Sequence, residues 1–201
     1  ASRGGHLHLD TFRLAGAQGV SREDFLARSE LLVEALVAVF AGEVETDPLS
    51  RLVLTAGLSW REVDVMRGYT RYMRQLQSKV TPGRAQEIVL AKPGLCHALT
   101  AYFNARFDPE ADEGREQAMA TTREVVVDRL RLIRAHDQDL VFGSLLQLMD
   151  GTLRTNAFRT DRKFHYLSFK IEVQHTALYR GARHLYEIYV HNKEVEGVHI
   201  R

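Results

Sequence analysis

SWREVDVMRGYTRYMRQL (residues 59–76) opens on a serine with a glutamate three positions later. That pair is a capping box: the Ser59 hydroxyl can accept from the Glu62 amide while the Glu62 carboxylate reaches back to the Ser59 amide. A long helix is therefore expected to start here. Within it Val63, Met66, Thr70 and Met73 form one stripe, and Val65, Tyr69, Tyr72 and Leu76 form a second, about a third of a turn away. A helix on the surface of a protein needs only one apolar face. Two stripes predict partners on two sides, so this is the central helix of a helical array.

The chain around it reads the same way. Upstream, Ser21 with Asp24 resembles a capping box and starts a helix carrying Phe25, Leu32, Leu36, Val39 and Phe40, with Gly42 as its left-handed stop. Asp47-Pro48 supplies a cap and a first-turn proline for a short helix that Gly57 ends. Downstream, Thr81-Pro82 starts a helix that Lys92-Pro93-Gly94 breaks, and Leu95, Leu99, Tyr102, Phe103 and Phe107 carry the next as far as Asp108-Pro109. From Asp112 to Arg134 the pattern is helical, with Met119, Val126, Leu130 and Ile133 on its apolar side. Asp137 is expected to cap a last helix running through Leu140, Leu145, Leu148, Met149 and Leu153.

The period then changes. Leu167 to Val173 alternates apolar and polar residues, the signature of a half-buried strand, and Tyr186–Val190 and Val195–Ile200 follow as strands joined by a hairpin at His191–Glu194. The expected fold is mainly α: a multi-helix array followed by a small antiparallel β segment at the C-terminus, α+β overall. Residues 1–156 are expected to form a helical domain and 163–201 a short β segment. Two or three strands bury little by themselves, so this segment should either pack on the helices or belong to a sheet completed elsewhere.

Composition narrows the function classes. The chain has 201 residues, 45% hydrophobic and 26% charged, enough for a sizeable core. Twenty-seven Lys and Arg face 26 Asp and Glu, which leaves no overall field for a polyanionic partner. Cys96 is the single cysteine, which excludes an internal disulfide and suits a reducing compartment, so the cytoplasm is expected. The most apolar stretch, Leu31–Gly42, is interrupted by Glu34 and is shorter than the ~20 residues of a membrane span. ASRGGHLHLD at the start has no apolar core of the kind a signal peptide needs.

LVLTAGLSWREV (52–63) resembles a DNA-binding helix-turn-helix corner, and Arg51, Arg61, Arg67, Arg71, Arg74 and Lys79 outnumber Glu62 and Asp64 across 51–80. Base readout needs short polar side chains at the start of the recognition helix, yet Trp60 stands there. The simpler expectation is a capped core helix with solvated arginines. Nine histidines invite a metal site, and five of them (His165, His175, His184, His191 and His199) fall in the last 37 residues, with His6 and His8 as an H-x-H pair. Neither H-E-x-x-H nor C-x-x-C accompanies them. Cys96 and His97 are adjacent on a helix, so their side chains diverge by about 100° and form no nucleophile-base pair. Arg154-Thr155-Asn156 at the end of the last predicted helix could bind an anion, but an arginine there also suits the helix dipole. No dinucleotide fingerprint, P-loop or nucleophile elbow is present.

Several long strings nonetheless occur in a distinctive order: DPLSRLVLTAGLSWREVDVMRGYTRYMRQL (47–76), ARFDP (105–109), GTLRTNAF (151–158), YLSFKIE (166–172) and LYEIYVHNKEVEGVHIR (185–201). From about residue 45 onward the sequence resembles the large-type NAD-specific glutamate dehydrogenases of bacteria. The resemblance implies a helical portion preceding and just entering the catalytic core of a much longer enzyme. Residues 163–201 would then be the opening strands of the substrate-binding domain's sheet. The parent would convert L-glutamate, NAD and water into 2-oxoglutarate, ammonia and NADH, as a cytoplasmic homo-oligomer. The family's glycine-rich segment, catalytic lysine and nucleotide-binding domain follow the VEGVHIR string, so no catalytic, cofactor-binding or metal-binding residue is assigned to this chain. NAD belongs to the parent. The isolated chain is expected to be inactive, and its expected partner is the remainder of that polypeptide, with neither nucleic acid nor membrane. Rival readings are a helix-turn-helix regulator and a free-standing helical interaction module.

Overall fold

The computed structural model describes residues 11, 19–76, 80–111, 113–161, 164–173 and 184–201. His6, His8 and His175 lie outside them. The helix predicted from the capping box is α4, Trp60–Gln75. Ser59 Oγ accepts from the Glu62 amide at 3.3 Å, and Glu62 Oε2 accepts from the Ser59 amide at 2.8 Å. Both stripes are inside: eleven of its sixteen residues are buried, including Val63, Val65, Met66, Tyr69, Tyr72 and Met73. The helix before it, α3 (Leu52–Ala56), ends at Gly57 in the left-handed conformation (φ 66°), the geometry a glycine adopts without a Cβ clash. Asp47 caps the 3-10 turn Pro48–Arg51 that leads into α3.

Around α4 stand α5 (Pro82–Leu90), α6 (Pro93–Phe107) and α8 (His136–Gly151), and α7 (Arg115–Arg131) packs on α6 and α8. Thr81 caps α5 as expected, its hydroxyl accepting from the Arg84 amide at 3.4 Å. One core runs from Leu49 and Leu52 through Tyr69, Leu99, Phe103, Phe142 and Leu145 to Phe169 and Tyr189, so the helices and the sheet share it. The sheet has strand order β1-β2-β3-β4, all antiparallel: β1 (Thr152–Thr155), β2 (Leu167–Glu172), β3 (Tyr186–His191) and β4 (Glu196–Ile200). Leu167, Phe169 and Ile171 alternate inward on β2, as do Glu187, Tyr189 and His191 on β3. Asn192 shapes the turn into β4, its side-chain oxygen accepting from the Glu194 and Val195 amides at 2.8 and 2.7 Å.

The structure corrects four sequence expectations. Helix α8 stops at Gly151, and Leu153 belongs to β1 rather than to the helix, because the buried Thr152 hydroxyl donates to Leu148 O (2.7 Å) and meets Tyr69 Oη (2.8 Å) where the chain turns. Asp137 is in the first turn of α8, and Ala135 is the residue at the cap. Helix α7 starts at Arg115, after Gly114 (φ 75°), three residues later than the charge pattern suggests. The single helix expected after Ser21 is two, α1 (Arg22–Ala27) and α2 (Ser29–Phe40), broken where Arg28 pairs with Asp24 and turns to donate to the Leu54 carbonyl of α3. Phe40 is 74% exposed, although the sequence pattern places it on the apolar face.

Sheet and helix approach closely at Gly68. A Cβ there would lie 2.9 Å from Cε2 of Phe169, whose ring is fully buried and stacks on Tyr69 with centroids 4.2 Å apart. Gly68→Ala should gain about 1 kcal/mol of helix propensity but lose about 1–3 kcal/mol to overpacking. Net destabilisation is expected in urea unfolding. Gly143→Ala in α8, where an added Cβ meets nothing within 4 Å, should stabilise by about 0.5–1 kcal/mol. Equal shifts for the two variants would refute the close approach at Gly68.

Candidate functional site: a buried ionic joint

Asp64 and Arg67 stand three residues apart on α4 and therefore share a face. Arg67 is 1% exposed and is the largest fully buried side chain. Its Nη1 donates to Asp64 Oδ1 at 2.6 Å, while Nε and Nη2 form a fork on Asp47, at 2.9 Å to Oδ2 and 3.0 Å to Oδ1. Asp47 Oδ1 also accepts from the Leu49 amide (3.0 Å), so the carboxylate that caps the 3-10 turn is the one that grips α4. Glu45 approaches Arg67 Nε at 3.8 Å and holds Arg71 Nη2 at 2.6 Å.

The other side of Asp64 faces the sheet. His165, just before β2, bonds Asp64 Oδ2 through Nε2 at 2.8 Å. His191, at the end of β3 and fully buried, has Nε2 3.5 Å from Asp64 Oδ1 and 3.9 Å from Glu45 Oε1. Burial alone would raise the Asp64 pKa. The hydrogen bond from His165, the neighbouring His191 and the Arg67 charge outweigh burial and hold the carboxyl well below the usual carboxylate range. Arg67 likewise keeps its charge against burial through Asp47 and Asp64. Three carboxylates and two guanidiniums thus tie the 45–47 segment and α4 together, and two imidazoles extend the cluster to the sheet.

A second contact lies one turn along. The Tyr72 hydroxyl donates to the Glu187 carboxylate of β3, which also meets His184 Nε2 at 2.9 Å. Arg74 pairs with Glu196 of β4 at 2.6 Å, and Glu196 also accepts from Tyr189 Oη at 3.0 Å. Arg106 of α6 serves as a third fastening: its guanidinium donates to the Met149, Asp150 and Thr152 carbonyls at 2.8–2.9 Å, where α8 runs out of its own donors.

These positions dispose of the DNA reading. Arg67 is buried in carboxylates, Arg71 and Arg74 are each ion-paired, and α4 is enclosed rather than presented to a groove. The expectation of solvated arginines fails at Arg67 for the same reason. Among the described residues no group of three or more His, Cys, Asp or Glu side chains is arranged to hold a metal ion. The cationic Arg67 sits among the carboxylates of the joint. Cys96 is buried, its thiol pushed up to about 12 by burial and its Sγ directed to Val89 O at 3.3 Å, while His97 turns to Ala56 O. Arg154-Thr155-Asn156 belongs to β1 and the residue after it, not to a helix end. Asn156 serves structure there, accepting from the Ser168 amide (2.6 Å) and donating to Tyr166 O (2.9 Å). Among the described residues no helix is long and apolar enough to cross a membrane.

Fold and cluster define the class: a helical array that carries a small antiparallel sheet on a buried ionic joint. Residues 44–109 match the family model of the glutamate dehydrogenase helical motif 3, and residues 125–201 match that of the bacterial NAD-glutamate dehydrogenase catalytic domain. The NAD-specific glutamate dehydrogenase of Pseudomonas aeruginosa is 29% identical over 96% of this chain, that of Halomonas elongata 31% over 84%, and that of Mycobacterium tuberculosis 31% over 87%. The chain belongs to the family of bacterial NAD-specific glutamate dehydrogenases, and it spans 11–12% of the length of these relatives.

Removing one partner of a buried ion cluster strands the others. Arg67→Met is expected to cost about 3–5 kcal/mol, read as a lower urea midpoint, and Arg67→Lys to recover less than half of it because a lysine lacks the fork. Asp64 also predicts a pH dependence. Its pKa is depressed on folding, so its stabilisation is complete above the ordinary carboxylate pKa and is lost as the pH falls through that value toward the folded one. Asp64→Asn should flatten the stability-pH curve between about pH 5 and 3; an unchanged slope there would show that Asp64 is not the group responsible.

Proposed function

We propose that this chain is a supporting portion of an NAD-dependent glutamate dehydrogenase, the part that seats the first strands of the catalytic domain on the helical body. One observation carries the reading. The ionic joint is made by residues from both family matches: Glu45, Asp47, Asp64 and Arg67 fall within the helical-motif match, His165 and His191 within the catalytic-domain match. The parent enzyme would transfer a hydride from L-glutamate to NAD in the cytoplasm and release 2-oxoglutarate and ammonia. Hydride transfer needs groups that bind and orient the nicotinamide. The family places them after the VEGVHIR string, so in this reading NAD binds elsewhere in the parent, the helices through α8 act as brace, and β1 with residues 163–201 acts as sheet opening. A role in contacts with other parts of the parent, or between its subunits, is supported by α2, where Leu26 just before it and Val33, Val37 and Phe40 on it are exposed.

The test is glutamate-dependent NADH formation measured on the full-length parent enzyme and on the 201-residue chain. The parent should be active, the chain alone should not exceed a heat-denatured control, and Arg67→Met in the parent should shorten the half-life of activity at elevated temperature. Turnover by the chain alone, or a parent indifferent to Arg67→Met, would overturn the proposal.

A further inference from the structure

At the start of α4, away from the apolar core, Arg61 is held in an unusual state. Its guanidinium lies over the Trp60 ring, with Cζ 4.3 Å from the centroid. Its one hydrogen-bonding neighbour among the described residues is His165 Nδ1, 3.4 Å from Nη1. No carboxylate among them lies within ion-pair distance of it. The imidazole is itself fixed from behind, edge-on to Trp60 (centroids 4.9 Å apart, 72°) and bonded through Nε2 to Asp64 at 2.8 Å. Asp64 is ionised and can only accept, so Nε2 carries the proton of that bond and Nδ1 is the nitrogen turned toward Arg61. The chain Asp64–His165–Arg61 therefore sets the plane of a guanidinium most of whose N–H groups have no acceptor among the described residues.

That guanidinium borders a pocket of about 100 Å³, with Arg159 and Thr160 also on its wall. Arg61 and Thr160 also line an adjoining pocket of about 270 Å³ that reaches Asn104 and Phe158. Arg159 spends Nε and Nη2 on Asp161, at 3.0 and 2.7 Å, and keeps Nη1. Glu43 is the one carboxylate among the residues lining the smaller pocket, and it is not ion-paired to Arg61. We propose that this pocket binds a small oxyanion, a carboxylate or phosphate group, on the exposed edge of Arg61, with Thr160 and Arg159 as further donors. Charge-assisted bonds from a stacked, pre-oriented guanidinium are the usual means of holding such a group. Glu43 limits the charge that the site tolerates and so favours a singly charged group over a dianion. Asp64 and His165 act as positioning residues. The proposal does not rest on the dehydrogenase reading, because binding to this chain is measured without turnover.

The test titrates the 201-residue chain with sodium acetate and, separately, with inorganic phosphate at pH 7 and constant ionic strength, following the side-chain N–H signals of Arg61 by NMR. Saturable binding is expected, with dissociation constants on the order of mM. Arg61→Gln should weaken it at least tenfold, and Arg131→Gln, on the exposed face of α7, should leave it unchanged. Arg159→Gln, which leaves Arg61 and its supports in place, should weaken binding by a smaller factor. Glu43→Gln should tighten phosphate more than acetate, and the ratio of the two affinities tells which source the site prefers. Linear, unsaturable shifts, or an Arg61→Gln variant that is folded by circular dichroism and binds like the wild type, would overturn the site.

Discussion

Arg67 imposes the constraint on which the rest depends. A guanidinium at the centre of a helical core is tolerated only if its charge is met and its N–H groups are bonded, since an uncompensated buried charge costs several kcal/mol. Asp64 and Asp47 meet that demand with three bonds of 2.6–3.0 Å. Each partner brings its own element: Asp47 fixes the turn before α3, Asp64 fixes the face of α4, and through Asp64 the histidines draw in the sheet. An apolar core of the same volume would be as stable or more so. What the ions add is a defined register between parts of the chain far apart in sequence.

That register matters because the sheet is thin. Four short strands pack on α4 and α8 through Leu167, Phe169, Ile171 and Tyr189, and Gly68 lets Phe169 approach the helix backbone. Apolar packing alone is non-directional and permits sliding. The contacts to Asp64, the Tyr72–Glu187 bond and the Arg74–Glu196 pair are directional and are spread along α4 from its first turns to its last. A unit of this kind suits an enzyme whose reacting groups must be held to within fractions of an ångström by a shell that does no chemistry itself.

Most of the helical layout was legible because it is written in local chemistry. Ser59 with Glu62, Asp47 with Pro48, Thr81 with Pro82 and the left-handed Gly57 are signals whose partners lie within four residues. The two stripes of α4 announced its central place. The strands were legible from alternation, apart from β1, whose four residues are too few to display a period and follow a helix without a break. The split between α1 and α2 was hidden too, since it depends on Arg28 reaching a carbonyl 26 residues away. Arg67 counted in the sequence as one of several surface arginines. Its setting between Met66, Gly68 and Tyr69, on a helix apolar on two sides, was the available signal that it is inside.

The sequence by itself determined where helices start and stop, that one of them is central, where the period changes from helix to strand, and to which family the chain is similar. Those properties follow from hydrogen bonds and apolar spacing within a few residues. Only the tertiary structure decided which charges are buried and paired, because Asp64, Arg67, His165 and His191 acquire their roles from neighbours 20 to 127 positions distant. The same holds for Arg61, whose unmet guanidinium is defined by a ring beside it in sequence and an imidazole 104 residues away. Electrostatic energy depends on distance and burial, and neither is a property of position along the chain.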